Sequence, residues 1–333
     1  MSAPTSLAPG ATVPHSMPIS PVVRPLATLA TAADVTRGLW LGLLGVALFA
    51  ATLPMTKLAV GTVDAPQLSP WFVTFGRAAV AGLLSLVYLA VQRARGQLIT
   101  PAGRQWGMLL MTACGVVVGF PLFMSLALLH VPSTHGAVVT GLLPLATAVL
   151  AAIWMKQRPS VGFWLAAVAG TLLVLLFMGF RSADSAGHFS LHLADVFLLI
   201  AMVTGAFGYI GGAQLTPALG SERVICWVLV MSLPITLPMA WLNMPTNVAS
   251  IHAVSWWAFV YVALFSMWIG FFAWYRALAL GGAVRVSQVQ LVQPFLSLLF
   301  AVPIMGERLD ALTLGFGLAV IATVFIGKRM PVN

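Results

Sequence analysis

Ten apolar stretches, each about twenty residues long, follow one another along this chain with short polar turns between them. They lie at about 39–59, 69–91, 106–128, 134–155 and 160–180, and then at about 192–212, 224–243, 255–278, 283–303 and 309–327. Roughly 20 residues at a 1.5 Å rise cross a hydrocarbon core ~30 Å thick, so each stretch has the length of one membrane passage. A lipid-exposed segment has to satisfy its own backbone polar groups, and the alternation of a barrel strand is absent, so every stretch reads as a helix. The expected fold is an all-α polytopic membrane protein with ten transmembrane helices. Residues 1–38 are rich in Pro, Ala, Ser and Thr and lack the apolar core of a signal peptide, so they read as a disordered cytoplasmic tail.

The pattern repeats internally. Displacing the chain by 150 residues brings Ala127-Leu128 onto Ala277-Leu278, Pro144 onto Pro294, Ala151 onto Ala301, Met155 onto Met305 and Arg158 onto Arg308. The apolar block 162–179 falls on 312–329. This divides the chain into a first five-helix repeat over 39–180 and a second over 192–329. Five passages is an odd number, so the second repeat enters the bilayer inverted, the arrangement on which many carriers build alternating access.

Composition and charge sharpen this reading. Of 333 residues, 60% are hydrophobic and 7% charged, against ~25% charged in soluble domains, which excludes a water-soluble globule. The net charge of +9 is not gathered into a basic patch of the kind nucleic acid requires. With the N-terminus inside, twelve cations fall on the inner side: Arg24, Arg37, Arg93, Arg95, Arg104, Lys156, Arg158, Arg223, Arg276, Arg285, Lys328 and Arg329. Only Lys57, Arg181 and Arg308 fall outside, so both termini are expected in the cytoplasm. The repeats differ accordingly: the inner loop reads Lys156-Gln157-Arg158, and its outer counterpart reads Glu307-Arg308-Leu309-Asp310. Cys114 and Cys226 both sit in apolar runs, which excludes a disulfide framework and a thiolate metal cluster.

Several ordered motifs carry a family resemblance. They are Phe75-Gly76-Arg77 and Pro144 in the first half, then Leu193-Ala194-Asp195-Val196, Trp274-Tyr275-Arg276-Ala277-Leu278, Pro294 and Gly306-Glu307-Arg308-Leu309 in the second. In these the chain resembles the ten-helix EamA branch of the drug/metabolite transporter superfamily, over about 39–329. It departs at Gln157, where many members carry Glu. The resemblance implies export or exchange of small organic solutes across a plasma membrane, of the bacterial inner-membrane type.

Candidate binding residues are the polar groups inside apolar helices. Ser287, Gln290 and Pro294 recur at helical spacing in the ninth stretch, with Gln293 within a turn of Gln290. They read as a stripe lining a central cavity, or as interhelical hydrogen-bond partners worth about 0.6 kcal/mol each. Trp268 lies deep in the eighth stretch and reads as a pocket wall, whereas Trp274 and Tyr275 near its end read as an interfacial belt. Thr52 and Thr56 flank Pro54, which suits either a kinked helix beside a cavity or a bend satisfied by the two hydroxyls. Tyr209 stands among Gly205, Gly208, Gly211 and Gly212, whose small size suits close helix packing. Arg77, about eight residues into the second stretch, either orients a solute or a neighbouring helix, or snorkels to the headgroups. Asp195, Glu307 and His135 lie near helix ends and read as caps or dipole partners.

No Asp or Glu falls in the middle third of any stretch, so carboxylate-based proton coupling lacks its usual carrier and facilitated diffusion or exchange gains weight. There is no nucleotide-binding loop and no common hydrolase signature, and no cofactor or metal is expected. The expected function is a secondary transporter for small metabolites, with the lipid bilayer and a small-molecule solute as its partners. An intramembrane enzyme using His130, Ser133 and His135, or a passive channel, is the alternative.

Overall fold

In the computed structural model, residues 32–154, 160–182, 192–281, 289 and 292–329 are described, and among them the only regular elements are helices. They form ten passages. Span one is Ala32–Ala50 continued by Thr52–Val60, span two is Pro70–Ala94, and span three is Gln105–Thr112, Ala113–Gly119 and Phe120–His130 in series. Span four is Ser133–Thr140 followed by Leu143–Trp154, and span five is Val161–Ser182. Span six is Leu193–Leu219, span seven Ser221–Leu242, and span eight Ala253–Tyr261, Val262–Ile269 and Gly270–Gly281 in series. Spans nine and ten are Gln293–Met305 and Ala311–Arg329. Six passages (one, two, three, six, seven and eight) are long and apolar enough to cross a membrane, and Val161–Phe177, Gln293–Met305 and Ala311–Thr323 are shorter apolar helices.

The 150-residue displacement seen in the sequence is also a displacement of structure. Helices start at Phe120 and Gly270, at Leu143 and Gln293, and at Val161 and Ala311, each pair 150 residues apart. Spans three and eight each carry a wide π-helical segment, Ala113–Gly119 and Val262–Ile269, at equivalent places. Packing obeys the same relation. Span two packs on seven, four on nine and five on ten, while one packs on eight and six on three. Exchanging the repeats maps this set of neighbours onto itself, as a pseudo-twofold axis between two five-helix repeats requires.

Small residues set the closest crossings. A Cβ placed on Gly115 would come within 2.5 Å of the Thr204 carbonyl and 2.6 Å of the Gly208 amide, so spans three and six meet backbone to backbone. Here glycine is required by approach, because lipid offers no hydrophobic drive and packing has to come from contact. Two clusters of buried apolar side chains flank the centre of the bundle. One is built around Leu53, Leu128, Ala137 and Leu198, the other around Phe49, Val116, Met267 and Phe271.

Two boundaries differ from the sequence reading. The first helix begins at Ala32, so Asp34 and Arg37 belong to it and not to a tail; Asp34 sits in the first turn, where the helix dipole favours an acid. Pro294, expected in mid-helix, lies in the first turn of Gln293–Met305, a position where its missing N–H costs little.

Candidate functional site

A cavity lies at the centre of the bundle, where spans of both repeats converge. Its water-accessible volume is about 50 Å³. That is room for a few waters, since one needs about 10–15 Å³ of such volume. Phe49, Leu53, Phe120, Leu143 and Phe271 supply much of its apolar wall, and Thr52, Arg77, Thr140, Tyr209, Ser266, Gln293 and Ser297 its polar groups.

The irregularities of the helices build this wall. Both π-helical segments contribute, through Val116 in span three and Ser266 and Met267 in span eight. Extra residues in a helical turn re-aim side chains and loosen the backbone ladder, which is why such bulges gather at functional places. Span four breaks between Thr140 and Leu143, and Thr140 and Gly141 at the break face the cavity. Pro144 has no N–H to offer the Thr140 carbonyl four residues before it. A Cβ on Gly141 would sit 3.4 Å from the Pro294 side chain, so the break of span four abuts the start of its counterpart, span nine. Span one is interrupted at Ala51, just before Pro54. The carbonyl that Pro54 deprives of an amide is that of Ala50, and Ser297 Oγ donates to it at 3.1 Å.

Among the described residues, Arg77 is the charge at the site. It is 4% exposed and lines the cavity. Its Nη2 donates to Ser266 Oγ at 3.2 Å and to the Met267 thioether at 3.4 Å, while its Nε is buried without a partner among the described residues. Thr52 Oγ1 donates to the same Ser266 oxygen at 2.8 Å, so the Ser266 proton remains free to donate. Tyr209 stands within electrostatic reach of the guanidinium.

No described carboxylate answers this cation. Asp34 is in the first turn of span one, Asp64 is in an exposed loop, and Glu222 lies 3.9 Å from Arg276. Asp310 accepts from the Thr313 amide at 3.0 Å, and Asp195 pairs with His135 at 2.8 Å. Glu307 accepts from the Ser133 amide and hydroxyl and from the Thr134 amide at 2.7–2.8 Å. Asp184 lies outside the described residues.

The Glu307 contacts and the His135–Asp195 pair form a separate polar cluster at one end of the bundle. Glu307 caps the start of span four, and Lys57, 7% exposed, donates to the Leu128 and Leu129 carbonyls at the end of span three. An acid at a helix start and a cation at a helix end both oppose the local dipole. Between this cluster and the cavity, Leu53 and Leu128 close on Gly136, where a Cβ would come within 3.1 Å of one and 3.3 Å of the other.

Among the residues singled out from the sequence, Thr52, Arg77, Tyr209 and Gln293 meet at the cavity. Ser287 and Gln290 lie outside the described residues. Trp268 does not line the cavity: its indole Nε1 donates to Ser85 Oγ at 3.1 Å and its ring packs on Phe272 at 4.8 Å. Tyr275, expected at the lipid interface, is buried, because Gly212 leaves room for its phenol. Sequence reasoning missed Thr140, Gly141 and Ser297 as wall residues. Ser297 had a signal, since it extends the stripe of Gln293 and Pro294 by one helical step.

An inverted pair of helical repeats meeting around a central, partly polar cavity defines a membrane transporter. The chain matches the EamA-like transporter family twice, over residues 36–179 and 192–327, and it belongs to that family. It is 42% identical over 294 residues to a protein of Bacillus subtilis (strain 168) named "Uncharacterized transporter YdeK", covering 88% of this chain and 98% of that one. A solved crystal structure superposes over 87% of this chain and 96% of its own with a TM-score of 0.56, a likeness of fold at 17% identity.

Proposed function

We propose that this chain is a secondary carrier that moves small organic metabolites across the plasma membrane by alternating access. Thr52, Arg77, Tyr209 and Gln293 contact the solute, together with Ser266 and Ser297. Gln290 and Ser287, one and two helical steps ahead of Gln293 in sequence, extend the same stripe. The two repeats rock about the cavity, exposing it first to one face and then to the other. On the charge asymmetry of its loops both termini are cytoplasmic, which puts the Lys57–Glu307 cluster on the external side as an outer seal. The solute leaves chemically unchanged, without cofactor or metal.

One observation carries this reading: the breaks of span four and span one, the start of span nine and both π-helical segments, taken from both repeats, all abut one cavity. Irregular backbone at membrane depth is tolerated where it lines a cavity. The test is counterflow in proteoliposomes loaded with unlabelled amino acids, amines or organic acids and offered the labelled form. A solute of this class should accumulate transiently and saturably. Gly141→Leu, which fills the cavity beside Pro294, should abolish accumulation while the protein remains monodisperse in detergent. Undiminished counterflow by that folded variant overturns the assignment of the site.

A further inference from the structure

We infer that the group this cavity recognises is a carboxylate, held by the guanidinium of Arg77. The inference rests on the proposed transport site and names the chemistry of its solute. Three features of the site lead to it. The guanidinium is more than nine-tenths buried, yet among the described residues its Nε has no partner and its Nη2 meets only a hydroxyl and a thioether, both poor stand-ins for an anion. Every described carboxylate is engaged or placed elsewhere, so none of them neutralises the charge. The groups around it are donors as well: the Ser266 hydroxyl, whose oxygen already accepts from both Thr52 and Arg77, and the Tyr209 phenol.

A buried cation is tolerated when an opposite charge completes it, and a planar fork of N–H donors matches a carboxylate with two parallel bonds. A cation at membrane depth without an anionic partner among the described residues is thus a half-built ion pair, and the solute supplies the other half. The rest of the wall tells what the solute carries besides. Phe49, Phe120, Leu143 and Phe271 suit a compact apolar body. An α-ammonium group, if the solute has one, finds only neutral acceptors such as the Thr140 carbonyl, so an amino acid and a simple organic acid share the recognised group.

The experiment is thermal unfolding of the full chain in detergent with matched probes: acetate, 4-methylpentanoate, phenylacetate and L-leucine, each beside its own amide. A ligand that binds the folded state raises the midpoint in proportion to its affinity. At least one carboxylate should stabilise the protein, with its amide about tenfold to a hundredfold weaker, the loss expected for hydrogen bonds to a charged partner. Arg77→Gln should erase the difference between acid and amide. Where that variant does not fold, the acid–amide contrast in the unaltered protein decides alone. The inference is overturned if amides match their acids, if chloride stabilises as well as the best carboxylate, if no carboxylate stabilises at all, or if folded Arg77→Gln keeps the contrast. Should Gly141→Leu still abolish counterflow of some amine in that event, the transport site stands and only its carboxylate specificity falls.

Discussion

Ser297 and Ala50 are joined by a hydrogen bond of 3.1 Å, the hydroxyl of span nine replacing the amide that Pro54 cannot supply. Span one is thereby interrupted beside the cavity and repaired from a helix of the other repeat. Ser297→Ala leaves that buried carbonyl unpaired and should cost about 1–3 kcal/mol, read as a lower unfolding midpoint in detergent. Pro54→Ala restores an amide to the same carbonyl. The double variant should therefore lose less than Ser297→Ala loses alone, and equal losses would show that the serine acts through another contact.

The glycine crossings make a prediction by contrast. At Gly115 an added Cβ meets the backbone of span six at 2.5 Å, and backbone cannot rotate away. Gly115→Ala should force spans three and six apart and cost about 1–3 kcal/mol or more, visible as loss of monodisperse protein. Gly315, in span ten, meets nothing within 4 Å. Gly315→Ala should be neutral or raise stability by up to about 1 kcal/mol, because alanine is the better helix former.

Much of this architecture was legible beforehand, for a physical reason. Lipid forbids unsatisfied backbone, so runs of about twenty apolar residues had one reading, and the shared prolines at 144 and 294 exposed the repeat. Arg77 stood out because a charge inside such a run is costly. The place of Trp268 was not legible in this way. Two residues apart, Ser266 and Trp268 take nearly opposite faces of span eight, so depth in the stretch alone could not place Trp268: it donates to Ser85 of span two while Ser266 faces the cavity. The pairing of His135 with Asp195 was equally hidden, since it joins helix ends 60 residues apart that only the fold brings together.

The Lys57–Glu307 end makes a prediction about access. Glu307 holds three donors at the start of span four, and in the proposed alternating-access cycle opening this end has to release them. Glu307→Gln keeps the shape but removes the charge that opposes the helix dipole, and a lost cap of this kind costs about 0.5–2 kcal/mol. The variant should populate the state open at this end more fully. Cysteine introduced at Leu53, in a background lacking Cys114 and Cys226, should then react faster with a membrane-impermeant maleimide added from that side. Unchanged labelling would mean that the cap stabilises the loop and leaves the conformational equilibrium alone.

The final prediction concerns the return of the empty carrier. If the solute completes Arg77, the unloaded protein must carry an unpaired guanidinium through the closed state, where no water-filled mouth relieves it. Uncompensated buried charges cost about 3–5 kcal/mol, and each ~1.4 kcal/mol added to a barrier slows a step about tenfold. Loaded exchange should therefore outrun net flux. Efflux of a labelled carboxylate from proteoliposomes should accelerate at least about tenfold when the same unlabelled acid is supplied outside, and its amide should give no acceleration. A folded Arg77→Gln variant, with nothing left to neutralise, should lose that dependence on the opposite side even where it still moves solute. Equal rates of net efflux and exchange in the unaltered protein would show that the empty cavity shields Arg77 by itself, and the half-built ion pair would not govern the cycle.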